Sequence, residues 1–489
     1  MTPASPTTAV SGAFDTFTEL MEATAEQLHD HEAYVEVDTG RRLTFGQWHR
    51  AADAAAARLA ADGVRPGDVV AIALPPSIDF AVACAAALRL GAVATGINTR
   101  LGRRETAAIV AGCRPRLVID DASMLRGPGG RSRAPVTGGP DDPAVIIWTS
   151  GTTGLPKGAW FDHRNLAAAV RTAGPMTQPL DRRISGVPMG HAGYMAKLWE
   201  QCAMGVTLVL TPNPWTAASM LGVLAAERVT VGAGVPTQWA KLLEVPQTAT
   251  ADLTSLRICL AATAPAPPEL VARMRTLLGC PVVVRYAMTE SPSITGTSPD
   301  DPPEIQYRTV GKPQAETTVD LVGADGDVVP PGEVGRVRVK GPCVMRGYWR
   351  DAAATREVLD GRGRLLSSDL GRLDGDGNLV LVGRASDMYI RGGYNVYPLE
   401  VENVLTEHPS IASAAVVGAE RPVIGEIGVA FVVLAPGAPG APIPSLGTLR
   451  TWVADRLADY KAPDEVRVVD TLPLTAMGKV DKGALAAAC

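Results

Sequence analysis

The stretch Trp148-Thr-Ser-Gly-Thr-Thr-Gly-Leu-Pro-Lys157-Gly158 directly follows an apolar run at residues 144–147. Its three glycines let backbone N–H groups approach an anion closely, and its four hydroxyl side chains add hydrogen-bond donors. Lys157 adds a positive charge, so the stretch suits a polyphosphate. It is not a Walker A loop, because Lys157 stands three residues after Gly154 and precedes Gly158 instead of Ser or Thr. A strand leading into such a loop predicts an α/β fold with a phosphate cradle.

The composition excludes several other classes of protein. The 489 residues include 46 basic and 51 acidic side chains, a near balance that lacks the basic excess of nucleic-acid binders. Asp79 and Arg89 interrupt the most apolar stretch, residues 78–97, so we expect no membrane span. The seven cysteines form no C-x-x-C pair or zinc-ligand cluster, and no secretory leader is visible, so we expect a cytoplasmic protein with reduced thiols.

The periodicity predicts alternating helices and strands, followed by a change of pattern. Short alternating segments at residues 317–321 and 336–340 indicate an antiparallel or barrel-like subdomain. A last unit begins near residue 386. The predicted helices cover residues 49–62, 79–90, 216–227, 267–278, 399–407 and 445–459, and the predicted strands cover residues 68–74, 144–149, 206–210, 229–232, 282–286 and 429–434.

Nine short motifs follow one another along nearly the whole chain. They are Leu43-Thr-Phe45, Leu90-Gly-Ala-Val93 continuing to Asn98, the loop at residues 149–158, Pro188-Met-Gly-His191-Ala-Gly193, Tyr286-Ala-Met-Thr-Glu290, Ser367-Ser-Asp369-Leu-Gly371, Gly383-Arg-Ala-Ser-Asp387, Gly392-Gly-Tyr-Asn-Val-Tyr-Pro-Leu-Glu-Val-Glu402 and Pro473-Leu-Thr-Ala-Met-Gly-Lys-Val-Asp481. In this order they resemble the adenylate-forming superfamily of acyl-CoA synthetases, luciferases and adenylation domains of peptide synthetases. One such motif is weak evidence, but nine collinear motifs are strong.

The resemblance implies a large N-terminal domain, residues 1–385, made of two α/β subdomains plus a β-barrel-like subdomain. A small mobile α+β C-terminal domain, residues 386–489, would turn about a hinge near Ser386. The implied function is ATP-dependent activation of a small-molecule carboxylic acid to an acyl adenylate, followed by thioester formation with coenzyme A. The alternative is a stand-alone adenylating enzyme that loads the acyl group onto a phosphopantetheinyl carrier protein. A regulatory nucleotide-binding module without turnover predicts loss of Lys479 or Glu290, and both are present.

The resemblance also implies a role for individual residues at the nucleotide. Thr149 and Glu290 would approach Mg²⁺, a hard cation that prefers oxygen ligands. Tyr286 would stack near adenine, Asp369 would accept hydrogen bonds from the ribose hydroxyls, and Arg384 would reinforce the ribose-phosphate end. The full implied set of nucleotide-binding residues is Thr149, Ser150, Gly151, Thr152, Thr153, Gly154, Lys157, Ala262, Thr263, Ala264, Tyr286, Ala287, Met288, Thr289, Asp369 and Arg384.

Two features of the C-terminal unit would divide the reaction into two steps. Lys479 would place its charge between the attacking carboxylate and the α-phosphate, which reduces the repulsion between two anions. After rotation of the domain, Gly392 and Gly393 would replace Lys479 and leave a narrow passage for the pantetheine arm. Ser386 departs from the Asp or Lys that the family more often has at the hinge.

The acid-binding pocket is predicted less specifically. His191 stands where many acyl and aryl ligases carry an aromatic gate, and no aspartate occurs between residues 187 and 198 to pair with an α-ammonium group. We therefore expect an uncharged aryl or aliphatic acid, with His191, Trp239 and Ala287 lining its cavity. Ala287 replaces the family's usual glycine, and its added methyl group predicts a narrowed or reshaped pocket.

Overall fold

The computed structural model describes residues 8–127, 138–149, 156–186, 188–261, 266–421, 425–435, 444–475 and 479–489. Four β-sheets and their flanking helices build this α/β architecture. None of the helices in the described ranges combines the length and apolar composition that a bilayer crossing requires. The expected fold class, a large N-terminal α/β portion followed by a smaller C-terminal unit, is confirmed.

The first sheet has six strands, of which four are parallel. In spatial order the strands are Gly347–Tyr348, Gly158–Asp162, Pro143–Trp148, Val93–Gly96, Val69–Ile72 and Leu117–Ile119. The loop that begins at Thr149 leaves the carboxyl end of a parallel strand, where α/β folds place their ligands. The helices of this region are Phe17–Gln27, Phe45–Ala61, Ile78–Arg89, Arg103–Cys113 and His163–Arg171, with a 3₁₀ turn at Ala122–Leu125.

A small-residue helix packs at the centre of this region. Every residue of Ile78–Arg89 except Asp79 is buried, because its alanines let neighbouring helices approach on all sides. Trp48 packs beside it and donates its indole N–H to the Ala81 carbonyl at 3.2 Å. Arg89 is buried as well and pairs with Glu22 and Asp53, which ties three helices together.

The second sheet has nine strands, with a parallel centre and antiparallel strands at both edges. In spatial order they are Lys312–Pro313, Ser291–Gly296, Val282–Met288, Ile258–Ala261, Val231–Gly234, Arg182–Ser185, Thr207–Leu210, Glu32–Glu36 and Arg41–Thr44. Its helices are Ala192–Met195, Leu198–Met204, Ala217–Ala226, Pro236–Leu243, Pro268–Leu278 and Pro303–Arg308, with 3₁₀ turns at Gly174–Met176 and Pro246–Ala249. The strand predicted at residues 229–232 begins two residues later, because the Val229 N–H still bonds to the Leu224 carbonyl of the preceding helix.

An antiparallel four-stranded sheet follows, as the alternating pattern predicts. Its strands are Thr318–Val322, Gly335–Lys340, Leu365–Leu373 and Leu379–Arg384, and the helix Ala352–Val358 lies between the second and third. The strand Gly335–Lys340 alternates between buried and more exposed residues. One face of the sheet therefore packs on the rest of the protein.

The C-terminal unit has its own five-stranded sheet and its own core. The strands are Tyr389–Arg391, Tyr394–Val396, Ile411–Arg421, Gly425–Leu434 and Glu465–Val468, and the helices are Pro398–Thr406, Leu446–Ala454 and Lys482–Ala487. The helix predicted to reach residue 459 ends at Ala454, and a 3₁₀ turn at Asp459–Lys461 follows. This early end lets Leu457 and Tyr460 pack against the core of this unit. The domain boundary at residues 385 and 386 stays a prediction.

One buried ionic cluster lies on the helix Leu198–Met204. Glu200 is 1% exposed and accepts hydrogen bonds from Lys197 at 2.6 Å and Arg183 at 2.8 Å. Burial alone would raise the pKa of Glu200, but the Lys197 and Arg183 charges outweigh it and lower this pKa to about 2. The buried charge of Glu200 therefore depends on both Lys197 and Arg183.

We expect Glu200→Gln to lower the free energy of unfolding by about 3 kcal/mol at pH 7, because it leaves two cations unpaired in the interior. Since the folded-state pKa lies below the unfolded value, Glu200 stabilises above about pH 4.5, and its contribution is lost as the pH falls towards about 2. The difference between wild type and variant should therefore shrink below pH 4.5 in urea titrations. Glu304→Gln, which removes an exposed pair with Arg308, is the matched control and should change little.

Candidate active site

Lys479 extends from the C-terminal unit towards the N-terminal sheets. Its backbone carbonyl accepts the Thr475 N–H at 2.7 Å, and the neighbouring Val480 pairs with Leu474. Burial lowers the pKa of Lys479, the nearby charge of Arg384 lowers it further, and Asp369 and Glu290 raise it. The charges of these four groups therefore act on one another, and the role of Lys479 in the reaction stays a prediction.

Asp369 is held from two sides. It lies opposite Arg384 in the register of the antiparallel sheet, and the Arg384 Nε donates to its Oδ1 at 3.0 Å. The Tyr286 hydroxyl, at the end of the strand Val282–Met288, donates to Asp369 Oδ2 at 2.7 Å. Both carboxylate oxygens are oriented while keeping acceptor capacity, which suits the recognition of two neighbouring hydroxyl groups.

We expect Asp369→Asn to raise the KM for ATP by about 10- to 100-fold, the range that corresponds to losing hydrogen bonds to a charged acceptor. The KM for the acid should change much less. Steady-state kinetics with each substrate varied in turn would measure both values. Asp320→Asn removes an Asp–Arg pair of the same sheet, with Arg338 at 2.9 Å, and serves as control. Equal effects of the two variants on the KM for ATP would contradict the role of Asp369.

The loop at residues 149–158, called the phosphate loop below, is held together at its base by backbone hydrogen bonds. Thr149 donates its N–H to the Lys157 carbonyl at 2.9 Å, and Lys157 returns its N–H to Thr149 Oγ1 at 3.4 Å. The Lys157 ammonium lies 5.2 Å from the centroid of the Tyr348 ring. Hydrogen bonds therefore hold Thr149 and Lys157 next to each other, and the Lys157 ammonium lies over the face of the Tyr348 ring.

The oxygen ligands of this region fit a magnesium ion that is bound together with a nucleotide. Glu290 Oε1 accepts a hydrogen bond from the Tyr348 hydroxyl at 2.7 Å. No cluster of three metal-ligating residues is present in the described ranges. Mg²⁺ in nucleotide sites takes one or two protein oxygens and completes its shell with phosphates and water. Glu290 and Thr149 offer oxygen atoms of this kind, and their joint role at Mg²⁺ stays a prediction.

His191, predicted to line the acid pocket, lies at the start of the helix Ala192–Met195. Its Nδ1 accepts the Gly193 N–H at 3.1 Å, so the neutral ring carries its proton on Nε2. Burial lowers the pKa of His191 to about 4, and the charge of Lys479 contributes to this shift. The imidazole is therefore an uncharged hydrogen-bond donor at neutral pH.

Trp239 and Ala287 differ in their surroundings. The Trp239 side chain is fully buried, and its Nε1 donates to the Leu260 carbonyl at 2.9 Å. A Cβ added at Gly232 would come 2.9 Å from the Trp239 ring, so the indole packs on the strand Val231–Gly234. Ala287 is exposed. Contact of either residue with the acid stays a prediction.

The remaining predicted residues divide into three groups. Gly392 and Gly393 form the exposed two-residue turn of a hairpin, with φ of +57° and +89°, while Lys479 occupies the site. Outside the described residues lie Ser150, Gly151, Thr152, Thr153, Gly154, Ala262, Thr263 and Ala264. Met288 and Thr289 connect Tyr286 to Glu290 at the end of the strand Val282–Met288.

Sequence reasoning missed two contacts at the site. Tyr348 joins Glu290 to Lys157, and no motif that we recognised contains it. Gly96 and Gly190 touch backbone to backbone, since a Cβ added at Gly96 would lie 2.3 Å from the Gly190 Cα. Both glycines belong to sequence motifs, and a glycine in a motif can indicate a close backbone approach. That these two glycines contact each other is visible only in the folded structure.

Comparison with known proteins shows the family to which the chain belongs. Residues 21–131 and 124–349 match the family of AMP-binding enzymes, and residues 400–479 match the AMP-binding enzyme C-terminal domain. The chain is 35% identical over 468 residues to a feruloyl-CoA synthase of an Amycolatopsis species, covering 91% of this chain and 93% of that protein. The chain therefore belongs to the AMP-binding enzyme family, and the resemblance stated above is confirmed.

Two solved structures have the same fold over almost their whole length. The anthranilate CoA ligase AuaEII in complex with anthranoyl-AMP superimposes with a TM-score of 0.89 at 25% identity, covering 98% of both chains. The amide bond synthetase McbA from Marinactinospora thermotolerans superimposes with a TM-score of 0.85 at 30% identity, covering 96% of this chain and 99% of that chain. All three proteins share the architecture that surrounds the site.

Proposed function

We propose that this enzyme uses ATP to activate an uncharged aryl or aliphatic carboxylic acid and transfers the acyl group to coenzyme A. The chain is an AMP-forming acid–thiol ligase. The single observation that carries the assignment is that the charges of Asp369, Arg384 and Glu290 act on the Lys479 ammonium, because this links the C-terminal lysine to the residues proposed to bind the nucleotide.

The first step joins the acid to AMP. A carboxylate oxygen attacks the α-phosphorus of ATP, the bond to the bridging oxygen breaks, and pyrophosphate leaves with that electron pair. Lys479 reduces the repulsion between the two anions, while Asp369 fixes the ribose. Lys157 and the backbone of the phosphate loop hold the departing phosphates. Thr149 and Glu290 would hold Mg²⁺, which when bound would neutralise phosphate charge.

The second step replaces AMP by a thiol. The sulfur of CoA attacks the acyl carbon, AMP leaves, and the thioester forms. For this step the hinge near Ser386 rotates the C-terminal unit, so that Lys479 withdraws and the turn at Gly392 and Gly393 enters. The exposed position of that turn supports this exchange. The free thiols of the chain and its co-substrates support a cytoplasmic location.

The neutral imidazole of His191 supports the class of acid. An α-amino acid needs an anionic partner for its ammonium group, whereas His191 presents an uncharged ring. The feruloyl-CoA and anthranilate relatives carry aryl acids in their names, which favours an aryl substrate within this class. Trp239 and Ala287 complete the proposed cavity.

A pyrophosphate-release screen tests the proposal. The panel contains cinnamates, benzoates, alkanoates and α-amino acids, each with ATP and MgCl₂. We expect turnover with aryl or aliphatic acids and none with amino acids, and loss of turnover in EDTA. The best acid is then offered CoA or a holo carrier protein. Thioester on CoA supports the proposal, whereas acylation of the carrier protein alone favours the carrier-loading alternative.

A further inference from the structure

The segment formed by residues 345–349 connects the two large sheets beside the phosphate loop. The Met345 N–H donates to the Glu290 carbonyl at 2.8 Å, next to the strand Ser291–Gly296 of the nine-stranded sheet. The Trp349 N–H donates to the Gly158 carbonyl at 2.7 Å, at the start of the strand that follows the phosphate loop. One short segment thus sets the separation between the two sides of the phosphate site.

Tyr348 lies in this segment and contacts functional groups on both sides. Its backbone pairs with Ala159, and the residue is 8% exposed. Its hydroxyl donates to Glu290 Oε1 at 2.7 Å, and its ring supports the Lys157 ammonium at 5.2 Å. A carboxylate and an ammonium that would otherwise move independently are therefore held by one rigid side chain.

The chemistry of this partner matters for a metal ligand. A lysine or arginine in the place of Tyr348 would cancel the charge of Glu290 and weaken its attraction for a divalent cation. A neutral hydroxyl donor fixes the direction of the carboxylate and leaves its negative charge available. The aromatic face likewise orients Lys157 without neutralising it.

We propose that Tyr348 is a positioning residue of the phosphate half of the site. It directs the Glu290 carboxylate towards the divalent cation of the nucleotide complex and holds Lys157 ready for the phosphates. This inference rests on the proposed function insofar as ATP is the ligand. It predicts that the hydroxyl and the ring of Tyr348 have separable effects.

The test is isothermal calorimetry of ATP binding, which does not require turnover. Tyr348→Phe keeps the ring and removes the hydroxyl, so the Kd for ATP in MgCl₂ should rise about tenfold, as expected for one charge-assisted hydrogen bond, and the Kd in EDTA should stay unchanged. Tyr348→Leu also removes the ring, and should weaken binding in EDTA as well. Tyr34→Phe is the control, since it removes a buried hydroxyl bonded to Tyr194 and Gln201 elsewhere.

A double-mutant cycle separates positioning from general stability. If Tyr348 acts through Glu290, Tyr348→Phe should add nothing to the magnesium effect in a Glu290→Gln background. Thermal melts check that each variant is folded, and a misfolded Tyr348→Leu leaves the Phe variant and the cycle as the decisive measurements. Equal losses in MgCl₂ and EDTA, no loss in either, or additive losses in the cycle would overturn the inference. Failure of the proposed function is distinguishable, because wild type would then bind ATP without releasing pyrophosphate with any acid.

Discussion

Lys479→Ala should reduce acid-dependent ATP–pyrophosphate exchange by about 100- to 1,000-fold, the cost of removing one preorganised group that stabilises transition-state charge. The reason is that Lys479 is the cation of the C-terminal unit whose charge interacts with Asp369 and Glu290. Thioester formation from a supplied acyl adenylate and CoA should remain, because the first transition state is bypassed. The two half-reactions are measured separately, by isotope exchange and by release of CoA thioester.

Two further variants sharpen this prediction. Lys479→Arg keeps the charge but changes its shape, so we expect partial recovery of exchange. Lys241→Ala removes an exposed lysine of the helix Pro236–Leu243 and should leave both half-reactions intact. If Lys479→Ala lost thioester formation from supplied acyl adenylate to the same extent as ATP–pyrophosphate exchange, the claim that Lys479 serves only the first half-reaction would be wrong.

Gly393→Leu should produce the reverse pattern. Thioester formation from supplied acyl adenylate should fall by about 100-fold, because a side chain in the pantetheine passage misplaces the attacking sulfur. ATP–pyrophosphate exchange should persist, since a Cβ at Gly393 meets no atom within 4 Å while Lys479 occupies the site. The same pair of assays applies.

The control for Gly393→Leu must reproduce its backbone strain. Gly332→Leu does so, because Gly332 has φ of +90° against +89° at Gly393 and equally open surroundings. A comparable loss of thioester formation in both variants would show that strain, and not obstruction of the passage, causes the defect. Exchange lost together with transfer in Gly393→Leu would contradict the two-conformation mechanism.

Much of the fold follows from periodicity. The helix predicted at residues 79–90 is Ile78–Arg89, and the strand predicted at residues 282–286 is the start of Val282–Met288, because both have clear apolar patterns and turn residues at their ends. Two boundaries were wrong. At Val229 a local hydrogen bond to Leu224 extends the end of the helix, and beyond Ala454 the chain leaves the helix so that Leu457 and Tyr460 pack against the core of the C-terminal unit. The order of nine strands across the second sheet depends on long-range pairing, which no local pattern contains.

The sequence motifs name several residues that lie near one another in the structure, whereas the roles of these residues stay predictions. Asp369, Arg384 and Lys479 were named from their motifs, and the structure brings them into one environment. The hydrogen bond between Tyr348 and Glu290 was not predictable, because it joins positions 58 residues apart in sequence. Tyr348 and Glu290 come into contact only where the two large sheets meet in the folded chain.

The separate core beneath Lys479 has a consequence for loss of activity under denaturing conditions. Val417, Val429 and Leu485 form a core within the C-terminal unit, and Val480, next to Lys479, packs against it. This core is separate from the one that supports Asp369 and the phosphate loop. Partial unfolding confined to that small core would remove the lysine and leave the nucleotide cleft standing. Activity should therefore be lost at a lower urea concentration than the one at which the main unfolding transition occurs. In that range of urea the protein should still bind ATP but no longer react with it.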